Sequence, residues 1–396
     1  MIARLGGLVA SELLRPSAGA VAVATLTVLP LFMVGALGLQ LSEDVGVPIS
    51  ALSFASAAFF GAGALVSSAA GYVASVYGVR STMRYALVLV IGVLFYLALW
   101  LQSMAGLIVI LAIAGMGNAL AQPSVNLYLA ERISHRRQGT AYGIKQSAIP
   151  AAGMLAGLAV PAIGLTVGWR WAFALFAIPP VILAVYLPNA RVISQPDKAY
   201  RRRPDVSRPI LRVIALGSGL AMAAGSSLII FLVPGAVVAG WSPAHSGLVF
   251  AGASVVGVVG RLACGVQADR RDGRHLCAIA MMLLIGAVGF AALAFSHPLL
   301  FVLGASIAFG FGWGWTGLLI HAVVQLSPSA PASSTGLVQV GTSSGAVAGP
   351  LLFGFIVEHG SYPLAWTTAG VELLLASLIF VVAAMMIRGG RATVVL

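Results

Sequence analysis

Residues 260–274 read GRLACGVQADRRDGR. The stretch closes one long apolar run and opens the next, which makes it a short polar hairpin between two membrane helices. Gly260 and Gly265 lack side chains and let neighbouring backbones come close. Asp269, Arg270 and Arg271 follow where the chain must leave hydrocarbon for water. The two cysteines of the sequence, Cys264 and Cys277, flank this hairpin and offer neither a disulfide framework nor metal-ligand spacing.

Outward from the hairpin the pattern repeats. Apolar runs long enough to cross a bilayer as helices fall at 18–40, 51–74, 85–102, 106–130, 139–163, 171–188, 212–239, 246–267, 276–296, 298–324, 334–357 and 363–387. Hydrophobic residues make up 60% of the chain and charged residues 8%, against roughly 25% charged in soluble domains. This is the composition of a polytopic membrane protein. The net charge of +12 does not point to nucleic acid, because the basic residues sit in the links between runs and not on one folded face. With the N-terminus inside, all 22 Lys and Arg residues except Lys145 and Arg170 fall in cytoplasmic segments or helix ends, and Glu43, Asp44 and Glu358 lie on the other side. The positive-inside rule therefore places both termini in the cytoplasm. Residues 1–15, with Arg4, Glu12 and Arg15, read as a cytoplasmic leader into the first span and not as a removed signal peptide.

The longest polar stretch, 189–209, carries Arg201-Arg202-Arg203 and three prolines. It divides the chain into a six-helix half at 1–188, a cytoplasmic linker at 189–211 and a second half at 212–396. The linker either solvates itself or attracts anionic headgroups of the inner leaflet. The halves look like copies of one another: residues 71–75 (GYVAS) match 265–269 (GVQAD), and Gly115-x-Gly117 matches Gly310-x-Gly312-x-Gly314. On these residues and on the 260–274 pattern the chain resembles the major facilitator superfamily of bacterial secondary transporters. The resemblance implies an all-α fold of twelve transmembrane helices in two pseudo-symmetric six-helix bundles, with a site near the midplane between them. It also implies a bacterial inner (cytoplasmic) membrane, a monomer, and gating by the hairpin. In that reading Gly260, Arg261, Gly265, Asp269 and Arg270, with Gly71 and Arg80 in the first half, hold the cytoplasmic side shut, and Asp269 meets the N-terminus of the eleventh helix. Ser75 stands where the second half has Asp269, so the latch is asymmetric. The bland alternative is that these residues cap a tight turn.

An ionisable or polar residue inside a span is a functional candidate. Lys145 lies about six residues into the fifth run, roughly 9 Å deep, beside Tyr142 and Gln146. It either meets water, an acidic partner or an anionic substrate, or snorkels to nearby headgroups. Asn118, Gln122 and Asn126 recur every fourth residue and either line a watery cavity or bond neighbouring helices. His321 shares a face of the tenth run with Gly317 and Gln325 and stands beside Trp313 and Trp315, while Gln339 shares a face with Ser343 in the eleventh. Glu372 is the carboxyl well inside a span. It is a proton-coupling candidate together with His321, or else a neutral group bonded to a neighbour such as Thr368.

The chain lacks the Gly-rich phosphate loop of ATP-driven pumps, metal-spaced histidines and a nucleophile elbow. No enzyme, cofactor or metal is expected. The expectation is a secondary transporter moving a small organic anion, such as a monocarboxylate, by alternating access. Residues 143–150 (GIKQSAIP) and 312–317 (GWGWTG) look similar to cyanate and monocarboxylate carriers. The partners implied are the substrate, the lipid bilayer and a coupling proton or counter-anion. A multidrug or solute efflux antiporter, and a membrane sensor or scaffold that does not transport, stand as alternatives.

Overall fold

The computed structural model describes residues 2–132, 138–187, 205–270, 275–295 and 297–392. Among the described residues twelve helices are long and apolar enough to cross a membrane: α1 (Ser17–Ala36), α2 (Ile49–Ser67), α3 (Val79–Leu99), α4 (Met104–Leu129), α5 (Gly143–Gly164), α6 (Trp169–Tyr186), α7 (Arg208–Val238), α8 (Pro243–Gly265), α9 (His275–Leu293), α10 (Pro298–Leu326), α11 (Ser333–His359) and α12 (Tyr362–Arg388). Each falls on one of the apolar runs read from the sequence. Most of the expected linker, residues 189–204, lies outside the described residues.

One reading of the hairpin changes. Pro243–Arg270 is a continuous helix, so the segment from Gly260 to Arg270 is helical and not loop. Nothing in that segment breaks a helix, and its glycines pack against neighbouring helices. A methyl placed on Gly260 would lie 2.9 Å from the Gly310 carbonyl oxygen of α10, and one on Gly143 of α5 would lie 2.8 Å from Gly265 Cα. Close backbone approach of this kind is how helices associate where no hydrophobic drive separates them from lipid.

The bundle is organised around α1 and α7, of which 78% and 83% lie buried in the protein, against 28% of α6. These two pack on each other, α2 lies along α4, and α7 lies along α11 and α12. Between the first six spans and the last six, α5 packs on α8 and α2 packs on α11. The α7–α11 seam is built from glycines: Gly341, Gly345 and Gly349, one per turn, lie against the backbone at Ala215, Gly219 and Ala223. Outward faces carry exposed Leu65, Val88, Val288 and Leu378, as a hydrocarbon surround requires.

Short links make successive spans antiparallel within the first six and within the last six, and Gly35 near the end of α1 meets Ile229 late in α7, so the first residue of α1 and the last of α12 share one end of the bundle. At the opposite end the helices are closed. Gly35 of α1 abuts the Ile229 carbonyl of α7, and a methyl on Gly354 of α11 would lie 2.8 Å from Ser53 Oγ of α2. Phe353 stacks on Phe231 at 4.7 Å and meets Trp366 edge-on at 4.6 Å. At the end that carries the chain termini, α2 and α4 stand apart from α10 and α11 and leave a cleft of about 940 Å³.

Among the described residues three spans are interrupted: α6 steps at Ala177, before Pro179 and Pro180, and the breaks in α5 and α10 face the centre. In α5 the helix steps between Gln146 and Ala148. Pro150, four residues after Gln146, has no N–H to give the Gln146 carbonyl. In α10 a π-turn at Ala308–Gly312 is followed by Trp313 in a non-helical conformation, and the helix resumes at Thr316. The glycines of residues 310–314 let the chain make this break, and the carbonyls it frees need donors from elsewhere.

Candidate central polar site

Those donors come from α8. Arg261, 2% exposed, gives Nη1 to the Gln146 carbonyl at 2.8 Å and Nη2 to the Trp313 carbonyl at 3.1 Å. Its guanidinium lies over the Trp313 ring, 4.8 Å from the centroid. A planar fork with several fixed donors suits this task, since it satisfies two orphan carbonyls on different helices at once. Arg261, expected at the gate, thus ties α5 and α10 to α8 in the interior.

Lys145 lies one residue from that clamp and is 6% exposed. Its Nζ donates to Gln122 Oε1 of α4 and, at 3.4 Å, to Gln146 Oε1. Gln122 Nε2 donates to Asn118 Oδ1 at 3.0 Å, and Thr27 of α1 donates to the same oxygen at 3.3 Å. A chain of polar groups therefore runs from α1 through α4 and α5 to α8 and α10. Lys145 turns inward to amides and does not snorkel. Placing a lysine at mid-membrane costs about 2.5–3.5 kcal/mol, which hydrogen bonds to charged groups of about 1.5–3 kcal/mol each offset.

The site is rich in donors. Among the described residues neither Lys145 nor Arg261 has a carboxylate partner; the ion pair present there, Arg170 with Asp44 at 3.0 Å, lies at the closed end. Arg261 Nε and Trp313 Nε1 are buried without an acceptor. Phe32 of α1 stacks on Trp313 at 5.8 Å, and Gly225 of α7 lies against the same indole.

The other candidates scatter. Trp315 is fully buried, donates Nε1 to the Gly312 carbonyl at 3.0 Å and packs on Phe380 of α12, outside the network. His321 Nε2 accepts from Gln325 Nε2 at 2.9 Å, and Gln325 Oε1 in turn accepts from His275 Nε2 of α9 at 3.0 Å. The two imidazoles stand edge-on at 5.0 Å. Asn126 and Gln339 line the cleft, where Gln339 donates to Ser343 at 3.3 Å. Glu372 is half-buried on α12, and Thr368 gives its hydroxyl to the Leu364 carbonyl and not to that carboxyl. Gly71 faces open space and Arg80 is half-buried at the start of α3. The side chains of Tyr142, Asp269 and Arg270 lie outside the described residues.

Sequence reasoning missed Thr27 and Phe32, although a threonine in the almost wholly apolar first run was a signal. It also missed Asp205, just before α7, which accepts from the Ser329 N–H at 2.8 Å and from its hydroxyl, while Ser327 Oγ accepts from the Asp205 N–H at 2.9 Å. These bonds hold the Asp205 carboxyl below its ordinary pKa. The segment leading into α7 is thereby fastened to the α10–α11 loop.

Twelve spans closed at one end and cleft at the other, around a polar centre on interrupted helices, define a membrane transport fold. The family model described as Major Facilitator Superfamily matches residues 18–332 and 214–392, and the chain belongs to that family of transporters. It is 25% identical over 292 residues to an MFS-type efflux pump of Mycolicibacterium smegmatis, covering 69% of this chain and 67% of that protein. It is 23% identical over 302 residues to the uncharacterized MFS-type transporter Rv2994 of Mycobacterium tuberculosis, covering 71% and 65% respectively. These matches span about two thirds of each relative's own length. Among solved structures it superposes on the nucleoside transporter NupG with a TM-score of 0.74 at 13% identity, over 93% of this chain and 100% of that one. On the human organic anion transporter MFSD10 (TETRAN) the TM-score is 0.66 at 18% identity, over 92% and 99%. Both likenesses are of fold.

Proposed function

We propose that the protein is a secondary active transporter that carries a small organic anion, such as a monocarboxylate, across the bacterial inner membrane by alternating access. The observation that carries this reading is the buried Lys145–Arg261 centre, which has donors to spare and no carboxylate beside it among the described residues. In such a site an anion exchanges the neutral amide oxygens on Lys145 for charged ones, and charge-assisted bonds are roughly twice as strong. Trp313 walls the site, and Asn118 and Gln122 orient the ammonium. Residues 1–188 and 212–396 rock as two halves about it, with both termini in the cytoplasm, so the cleft faces inward. Asp269 and Arg270 latch that side when it closes. The protein works in the bilayer as a monomer, with a proton or a counter-anion as the coupling species.

Thermal stabilisation of the purified protein by a panel of small carboxylates, organic cations and neutral solutes tests the reading. A ligand stabilises the fold by RT ln(1 + [L]/Kd), so millimolar binders register. The expected result is carboxylate-specific stabilisation that disappears in Lys145→Met. Stabilisation by lipophilic cations alone, unchanged in that variant, would favour the second reading, a drug or solute efflux antiporter. The relation to the M. smegmatis efflux pump supports that alternative.

A further inference from the structure

The cleft at the terminal end of the bundle differs in chemistry from the Lys145 centre that lies next to it. Its volume of about 940 Å³ is walled by Ile320 and Val323 of α10 and by Val338 and Val347 of α11, with the uncharged Gln339 and Ser343 beside them. Among the described residues no Lys, Arg, His, Asp or Glu side chain lines it. Position matters as much as composition. Asn126, on its wall, is one helical turn past Gln122, the residue that holds Lys145, so the cleft begins about 6 Å further along α4. On α10, Gly317 lies 3.7 Å from Gln146 Cγ, and the cleft residues Leu319 and Ile320 follow within a turn. The cationic centre thus lies about one helical turn beyond the inner end of a cleft whose own lining is uncharged and largely aliphatic, with hydroxyl and amide groups between. All the charge is at one end.

We infer that this cleft is the tail subsite of the carried anion, so that the substrate class is an amphipathic monocarboxylate with an aliphatic or aryl body and not a small hydrophilic acid. The inference rests on the organic-anion reading above. The carboxylate meets Lys145 beside Arg261, and the apolar body lies between α4 and the α10–α11 pair. A charged body finds no counter-charge there, and Ile320, Val323, Val338 and Val347 offer apolar surface that only an apolar body covers. A cleft of several hundred cubic ångströms has the size of ordinary small-ligand sites.

The test is a binding series in lipid nanodiscs with straight-chain carboxylates from acetate to hexanoate, beside hexanamide and hexylammonium. The proteins are wild type, Lys145→Met and Gly336→Leu. Gly336 lines the cleft, and a Cβ built on it meets nothing within 4 Å, so a leucine there starts into open space and occupies part of the subsite. Expected is a tightening of about two- to fourfold per added methylene, fourfold being the limit for full burial. Hexanamide and hexylammonium bind far more weakly, and the hexanoate-to-acetate affinity ratio collapses toward one in Gly336→Leu. Binding that Lys145→Met abolishes but that is flat with chain length overturns the tail subsite and leaves the anion reading intact. A ratio unchanged in Gly336→Leu likewise overturns the placement. Hexanamide binding as tightly as hexanoate, with no effect of Lys145→Met, overturns the anion reading and this inference with it.

Discussion

Arg261 shows how a single side chain repairs a backbone. Pro150 deprives the Gln146 carbonyl of its helical donor, the break at Trp313 frees a second carbonyl, and one guanidinium meets both. Leaving a buried carbonyl without a donor costs about 1–3 kcal/mol, while removing a buried guanidinium relieves its desolvation, so the net effect of Arg261→Ala mixes two opposed terms. A double-mutant cycle separates them. Pro150→Ala restores an N–H four residues after Gln146, and in the Arg261→Ala background that N–H takes over the orphaned oxygen. Unfolding measured in mixed micelles is expected to show Arg261→Ala costing about 1–2 kcal/mol less when Pro150→Ala is present, the share of one rescued carbonyl. Strict additivity would show that Arg261 does not stand in for the missing amide. Half of this was legible in the sequence: Pro150 four residues after Gln146 announces an orphaned carbonyl. Which donor answers it was not legible, because 115 residues separate Arg261 from Gln146 and only the packing of α8 on α5 joins them.

Glycine position decides what each helix face does, and α11 holds the contrast within one element. Gly345 presses against the backbone of α7 at Gly219, whereas Gly336, nine residues earlier, faces open space in the cleft. The same change to alanine should therefore act in opposite directions. Gly345→Ala forces α7 and α11 apart and is expected to cost about 1–3 kcal/mol as overpacking against a backbone that cannot swing away. Gly336→Ala keeps its helical conformation and gains up to about 0.5–1 kcal/mol from lower unfolded-chain entropy. Thermal unfolding of the two variants in the same detergent checks the pair, and equal shifts would contradict the seam. The twelve spans could be read from the chain because length and hydropathy suffice to mark a helix that must satisfy its own backbone in lipid. The one-per-turn spacing of Gly341, Gly345 and Gly349 was visible as well. Misread was the extent of α8: the polar character of 260–274 suggested a short hairpin, and the helix runs on to Arg270, with Gly260 and Gly265 packing inside it. Trp313 and Trp315 were indistinguishable in sequence, since only the break in α10 turns one toward Arg261 and the other toward α12.

At the scale of the whole molecule the two ends of the bundle are in different states. Ser53 and Gly354 are in contact across α2 and α11 at the closed end, while Ala64 and Ser67 of the same α2 face Gly336 and Gln339 of the same α11 across the cleft. The pair of helices is splayed like a hinge whose pivot is the glycine contact. Alternating access requires the reverse arrangement to exist as well, and a ligand shifts the balance between the two by its difference in affinity for them. Cysteine accessibility reads this directly once the native Cys264 and Cys277 are replaced by serine. Gln339→Cys should react quickly with a water-soluble maleimide applied from the side that carries the chain termini, and Ser53→Cys should be protected from both sides. Saturating substrate is expected to slow the first reaction and, in the fraction of molecules that open the other way, to expose Ser53→Cys to reagent on the far side. Movement of both rates in opposite senses would mark a carrier, because a single rigid-body rearrangement closes one end as it opens the other. Protection at position 339 with no change at position 53 under any ligand would instead describe a receptor that binds without counterflow, and the transport reading of this chain would fail.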